Sequence, residues 1–121
     1  MKIDKVFEEC GHFIDMFGVW IYITDSKKRF KRMLDHVGVD HGDMNTYGRT
    51  FKTVSNEDGR MRIYIYFTRD EISTLVHESI HAAEYILDHI GEPPSWDGEI
   101  FAYLTQHIFE FHLNRRKDKN G

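Results

Sequence analysis

The spacing of apolar residues predicts helices and strands that alternate along the first half of the chain. Seven apolar positions at three- and four-residue steps predict an amphipathic helix that ends at Gly18: Ile3, Val6, Phe7, Cys10, Phe13, Ile14 and Phe17. The β-rich run 19–24 then predicts a strand. A second helix, capped by Thr24 or Asp25, is predicted to extend through His36.

The second half of the chain predicts a β-hairpin followed by two helices. Two β-rich runs, 49–54 and 60–67, flank a turn-rich segment. In the second run, alternation places one set of apolar residues on a single face: Met61, Ile63, Ile65 and Phe67. A helix capped by Thr68 or Asp70 should then run to about Ile90 and end at Gly91.

These elements predict one α+β domain spanning residues 1–121, with a short, mostly antiparallel sheet packed on helices. Within it, 1–48 should form a helix–strand–helix unit and 49–67 the hairpin. The segment 68–91 should form a helix, and 95–114 the last helix. Residues 115–121 are predicted to be a flexible, charged tail.

The helix predicted over 68–91 contains the sequence His77-Glu78-Ser79-Ile80-His81. Residues four apart lie on the same helical face, about 6 Å apart, so both imidazoles can bind one zinc ion. Glu78 is placed to hold the water molecule in the open coordination position, as the base in H-E-x-x-H hydrolases does. The neighbouring positions are uncharged, which favours a helix packed against its own core.

Composition narrows the classes of function. The chain has 121 residues, 40% of them hydrophobic, and a formal charge of −4, which argues against general nucleic-acid binding. Cys10 is the single cysteine, so a metal must be held by histidine and carboxylate. The first residues lack the apolar region of a signal peptide, and no uninterrupted run of 18 apolar residues occurs. We therefore expect a cytoplasmic protein without a membrane partner.

A catalytic zinc ion needs three protein ligands, so one must come from outside the motif. Glu99 is the strongest candidate, since it opens the last predicted helix, which can fold back antiparallel to the first two ligands. Three alternatives remain. Glu84 is more plausible as a neighbour of the site, Asp97 as a helix N-cap, and Glu92 as an exposed turn residue.

Tyr103 and His107 follow Glu99 on the same helical face. Either can donate a hydrogen bond to a ligand or to a developing oxyanion, and Tyr103 is favoured because a phenol is a donor at neutral pH. Packing between the helices explains both residues equally well. The remaining histidines have no ligand-like spacing and are interpreted as surface or capping residues: His12, His36, His41, His89 and His112.

Over about residues 60–113, the motif and the run Asp97-Gly98-Glu99-Ile100-Phe101-Ala102-Tyr103 resemble gluzincin metallopeptidases. The nearest resemblance is to their smallest members, the minigluzincins, and to short phage and prophage metallopeptidase-like proteins. The resemblance implies a zincin-like domain with one Zn²⁺ held by His77, His81 and Glu99. It also implies that Glu78 is the general base. Larger gluzincins often carry aspartate at the position of Tyr103.

The predicted function is therefore zinc-dependent hydrolysis of peptide bonds in a peptide or protein substrate, with Glu78 as general base and Tyr103 as a donor to the oxyanion. One alternative is a regulatory protease of one protein partner, similar to the ImmA/IrrE proteins. Another is a non-catalytic protein that keeps zinc for stability and binds a partner. The oligomeric state and the cleavage specificity do not follow from the sequence.

Overall fold

The structure, a computed structural model, describes residues 2–68, 71–91 and 99–120, with side chains up to residue 115. The first half contains helix α1 (Ile3–Cys10), strands β1 (Gly11–Ile14) and β2 (Val19–Thr24), and helix α2 (Lys27–His36). The second half contains strands β3 (Gly48–Val54) and β4 (Met61–Phe67), then helices α3 (Ile72–His89) and α4 (Glu99–Asn120). The predicted α+β class is thus confirmed.

The four strands form one mixed sheet in the order β1-β2-β4-β3. The two outer pairs are antiparallel, with Ile14 opposite Val19 in β1–β2 and Val54 opposite Met61 in β3–β4. The central pair is parallel, with Ile21 opposite Ile63. The predicted hairpin is therefore present, and it places β3 at one edge of the sheet.

Helices cover both faces of the sheet because alternate side chains of its central strands lie in two different apolar cores. Ile21, Ile63 and Ile65 face a cluster to which α3 and α4 contribute Leu75 and Leu104. The opposite face carries an aromatic cluster that includes Phe30 of α2 and two tyrosines of β4, Tyr64 and Tyr66. The split of β4 into two faces agrees with its predicted alternation.

The predicted first helix is wrong beyond Cys10, because residues 11–14 form β1 instead. Gly11 has extended backbone and follows the last turn of α1. A Cβ atom at Gly11 would lie 2.8 Å from Phe7 O and 3.0 Å from Tyr22 Cε1, so a glycine allows the chain to turn closely against β2. The helical period across Phe13 was coincidental, since pairing with β2 decides the local structure.

The helix boundaries differ from prediction in three further places. Ser26 caps α2, in place of Thr24 or Asp25, by accepting a hydrogen bond from Arg29 N at 3.2 Å. Thr68 does not cap α3, since its hydroxyl donates to Tyr47 O, whereas Asp70 lies outside the described residues. Helix α4 continues to Asn120, through most of the predicted tail. Residues 92–98, which include the alternatives Glu92 and Asp97 and the predicted start of the last helix, also lie outside the described residues.

Within the described residues, no helix combines the length and the apolar character needed to cross a membrane.

Candidate metal centre

Helix α3 carries the motif because one of its faces is buried and the opposite face is open. Leu75, Ala82 and Ile86 are buried against the sheet. The buried Ser79 hydroxyl donates a hydrogen bond to Leu75 O, one turn earlier in the helix, at 2.8 Å. His77 on the open face is exposed, and His81 is half-buried. Burial of the apolar face thus sets the orientation of α3, and the helical repeat places both imidazoles on its open side.

The two imidazoles converge on one point. His77 Nε2 and His81 Nε2 lie 3.0 Å apart, with ring centroids 4.6 Å apart and planes at 83°. If both nitrogens lie about 2.1 Å from one ion, a tetrahedral angle needs them about 3.4 Å apart. A small opening of the rings therefore suffices for both nitrogens to bind the same ion.

Glu78 completes the only group of three or more metal-binding side chains found in the described part of the chain. Ligand atoms of His77, Glu78 and His81 all lie within 4.8 Å of one another. Unlike the histidines, Glu78 is buried, with 5% of its surface exposed. A buried carboxylate needs hydrogen-bond partners, so its surroundings decide what it can do.

Strand β3 supplies those surroundings. The Thr50 hydroxyl lies 3.1 Å from Glu78 Oε2 and 3.4 Å from Glu78 O, so its single proton is shared or directed to the nearer carboxylate oxygen. Gly48 lets the strand approach α3 closely. A Cβ atom there would collide with Thr74 Cγ2 and lie 3.1 Å from Glu78 Cγ.

An open cleft lies beside this carboxylate. Its volume is about 400 Å³, and it is lined by residues 46–48 on one side and by Ser73, Thr74, His77 and Glu78 on the other. The lining is mostly polar, and Tyr47, with 71% of its surface exposed, stands at the cleft. A ligand in this cleft would contact one imidazole and the carboxylate together.

The structure places Glu99 at the first residue of α4, exposed and outside the group formed by His77, Glu78 and His81. The start of α4 nevertheless packs beside α3 at the level of the motif. Phe101 and Ala102 line a shared groove with Val76 and Ile80, the residues just before the two histidines. The third ligand therefore stays a prediction.

Tyr103 is exposed and its ring stacks on His107, with centroids 5.9 Å apart. It does not line the cleft beside Glu78, so its predicted catalytic role is not supported by proximity and stays a prediction. His107 in turn lies 2.9 Å, between Nε2 atoms, from His12. Two histidines thus differ from their interpretation as surface or capping residues: His12 pairs with His107, and His112 is buried beside Phe67.

Sequence reasoning missed Thr50, Gly48 and Tyr47 as neighbours of the motif. Tyr47 precedes β3, whereas Gly48 and Thr50 lie near its start, and all three are 28 or more positions before Glu78. No spacing rule connects residues this far apart in sequence. The sequence signal for Gly48 was the turn-rich segment that ends there, just before β3. That this glycine allows β3 to approach α3 closely becomes visible only when the strand is packed against the helix.

Two imidazoles and a carboxylate are donors that suit a first-row divalent ion such as zinc. The group formed by His77, Glu78 and His81 can thus hold a metal ion. No family model, curated protein or solved structure matches this chain.

Proposed function

We propose that this chain is a zinc metallopeptidase of the gluzincin kind, with a zincin-like fold. The observation that carries the proposal is the placement of a buried, hydrogen-bonded Glu78 between two converging imidazoles and an open cleft. Structural carboxylates are usually paired with a cation or exposed. This one faces a place where a metal ion and a substrate can meet.

A bound zinc ion would supply Lewis acidity, lowering the pKa of a water molecule and polarising a carbonyl group. His77 and His81 would hold that ion. Glu78 accepts a proton from water during attack on the peptide carbonyl and returns it to the departing amine. Thr50 would help to orient the carboxylate, because it donates to one oxygen and leaves the other available to accept the proton.

The substrate in this proposal is an extended peptide. Strand β3 is the last strand in the sheet order and pairs with β4 on one side, so its other edge can accept main-chain hydrogen bonds. The same strand carries Thr50, which contacts Glu78. A peptide paired with this edge would therefore run past the carboxylate.

Glu99 is the proposed third ligand. The groove shared by Phe101, Ala102, Val76 and Ile80 supports this assignment, because it brings the first turn of α4 alongside the motif. Since the Glu99 carboxylate lies outside the group of three, ion binding has to bring it closer. Its exposure leaves the side chain free to reorient.

The replacement Glu78→Gln tests the proposed chemistry. We expect it to lower hydrolysis of a peptide library by about 10²–10⁴-fold, the usual contribution of a general base, while zinc content is retained. Glu84→Gln, on the same helix, is the matched control and should keep full activity. Undiminished hydrolysis by Glu78→Gln would show that Glu78 is not the base.

A second candidate function is a zinc-stabilised binding protein. The apolar groove between α3 and α4, about 490 Å³ in volume and lined by Val76, Ile80, Phe101 and Phe109 among others, favours it. Chelation separates the two functions. Loss of zinc that unfolds the protein, with no cleavage of any peptide, favours the binding role, whereas loss of cleavage with an intact fold favours catalysis.

A further inference from the structure

A second pair of imidazoles lies where β1 meets α4, apart from the motif on α3. His12 Nε2 and His107 Nε2 are 2.9 Å apart, although the two residues are 95 positions apart in sequence. This separation is nearly the same as the 3.0 Å between the two imidazoles of the motif. Here, however, the two nitrogens come from different elements of the fold.

Aromatic neighbours hold both rings in place. The His12 ring stacks on Phe111, with centroids 3.9 Å apart and planes at 18°. The His107 ring stacks on Tyr103 at 5.9 Å and 21°. Both imidazoles are half-buried, so neither rotates freely in solvent. Rings held in this way lose little entropy when they bind an ion together.

We propose that His12 and His107 form a second metal site, selective for a divalent transition-metal ion such as Zn²⁺, Ni²⁺ or Cu²⁺. Imidazole nitrogen suits these ions better than it suits Mg²⁺ or Ca²⁺, which prefer oxygen. Binding would replace the contact between the two nitrogens with two metal–nitrogen bonds. The ring that carries the shared proton on Nε2 would move it to Nδ1 by exchange with solvent, so two neutral imidazoles release no net proton. Water molecules fill the remaining coordination positions.

Two charged groups, Arg115 and Asp15, lie near the pair. Burial, with smaller contributions from His107 and Arg115, lowers the pKa of His12, and the charge of Asp15 partly offsets the effect. Arg115 is a nearby positive charge, but its guanidinium donates to Gly11 O at 3.1 Å and lies over the Phe111 ring.

An ion bound by His12 and His107 would cross-link two elements that are distant in sequence. His12 lies on the edge strand β1, and His107 lies in the middle of α4. The described contacts between these elements include the imidazole pair, the stack of His12 on Phe111, and the Arg115 hydrogen bond. A metal bridge would strengthen the docking of α4.

The double variant His77→Ala/His81→Ala isolates this site, because it removes the motif pair and so separates the test from the proposed peptidase. We expect the variant to bind one equivalent of Ni²⁺ or Zn²⁺ by calorimetry, and Cu²⁺ more tightly than either. Saturating Ni²⁺ should also raise its Tm. Adding His107→Gln should weaken binding at least tenfold and abolish the Tm rise.

His12→Gln, on the other element, should have the same effect, which guards against one substitution that merely disturbs folding. Circular dichroism verifies the fold of each variant. His89→Gln replaces an exposed histidine at the end of α3 and serves as the control that should change nothing. Absence of binding in the double variant would overturn the proposal. So would binding that survives both His12→Gln and His107→Gln.

Discussion

Thr50 Oγ1 donates to Glu78 Oε2 over 3.1 Å, joining the edge strand β3 to the centre of the candidate metal-binding motif on α3. Because Glu78 is buried, this hydroxyl can help to orient its carboxylate. It links the edge strand proposed to pair with a peptide to the proposed general base.

Thr50→Val tests this link, since valine keeps the shape of threonine and removes the donor. We expect kcat for peptide hydrolysis to fall about tenfold, equivalent to about 1.4 kcal/mol, with zinc content unchanged. Thr50→Ser keeps the hydroxyl and should retain most of the activity. Equal kcat for the valine and serine variants would contradict an orienting role of the hydroxyl.

Gly48→Ala should separate β3 from α3. The new methyl group collides with Thr74 Cγ2 and crowds Glu78 Cγ at 3.1 Å, so we expect a loss of about 1–3 kcal/mol in the free energy of unfolding. Urea denaturation measures this loss. Thr74→Ser removes the colliding methyl group, so adding it should recover part of the stability. A double-mutant cycle with no coupling would argue against this contact.

Glu99→Ala tests the third ligand. Removing a ligand should lower zinc affinity by more than the about 10–100-fold typical of an outer hydrogen-bond partner, as measured by competition with a chromogenic chelator. Glu84→Ala is the matched control, since Glu84 was the alternative ligand. If Glu84→Ala weakens zinc binding and Glu99→Ala does not, the ligand assignment is wrong.

Cys10 should make stability depend on alkaline pH. Burial is the main cause that raises the pKa of its thiol above the ordinary value of about 9. A raised pKa means that the buried thiol contributes stability below the unfolded value and loses it as the pH rises through the folded value. The cost of Cys10→Ala, measured by urea unfolding, should therefore be smaller at pH 10.5 than at pH 7. A cost that is larger at pH 10.5 would contradict this.

The sequence alone determined the features that depend on neighbouring residues. The i, i+4 spacing of His77 and His81 brings their imidazoles together on any helix, and the structure forms that helix. The hairpin was equally predictable, because the alternation of β4 and the turn-rich segment before it are local patterns. Local periodicity reports which residues share a face, so it predicted the apolar face of β4 that carries Ile63 and Ile65. The second core, which buries Tyr64 and Tyr66, was not predicted.

Only the tertiary structure decided the features that join distant segments. Thr50 meets Glu78, and His12 meets His107, because layers of the fold pack together over 28 and 95 positions. The same packing turned residues 11–14 from the predicted helix into β1, since pairing with β2 outweighed the helical period. Spacing rules describe one element at a time, whereas the contacts between elements are set by how all of them fill a common core.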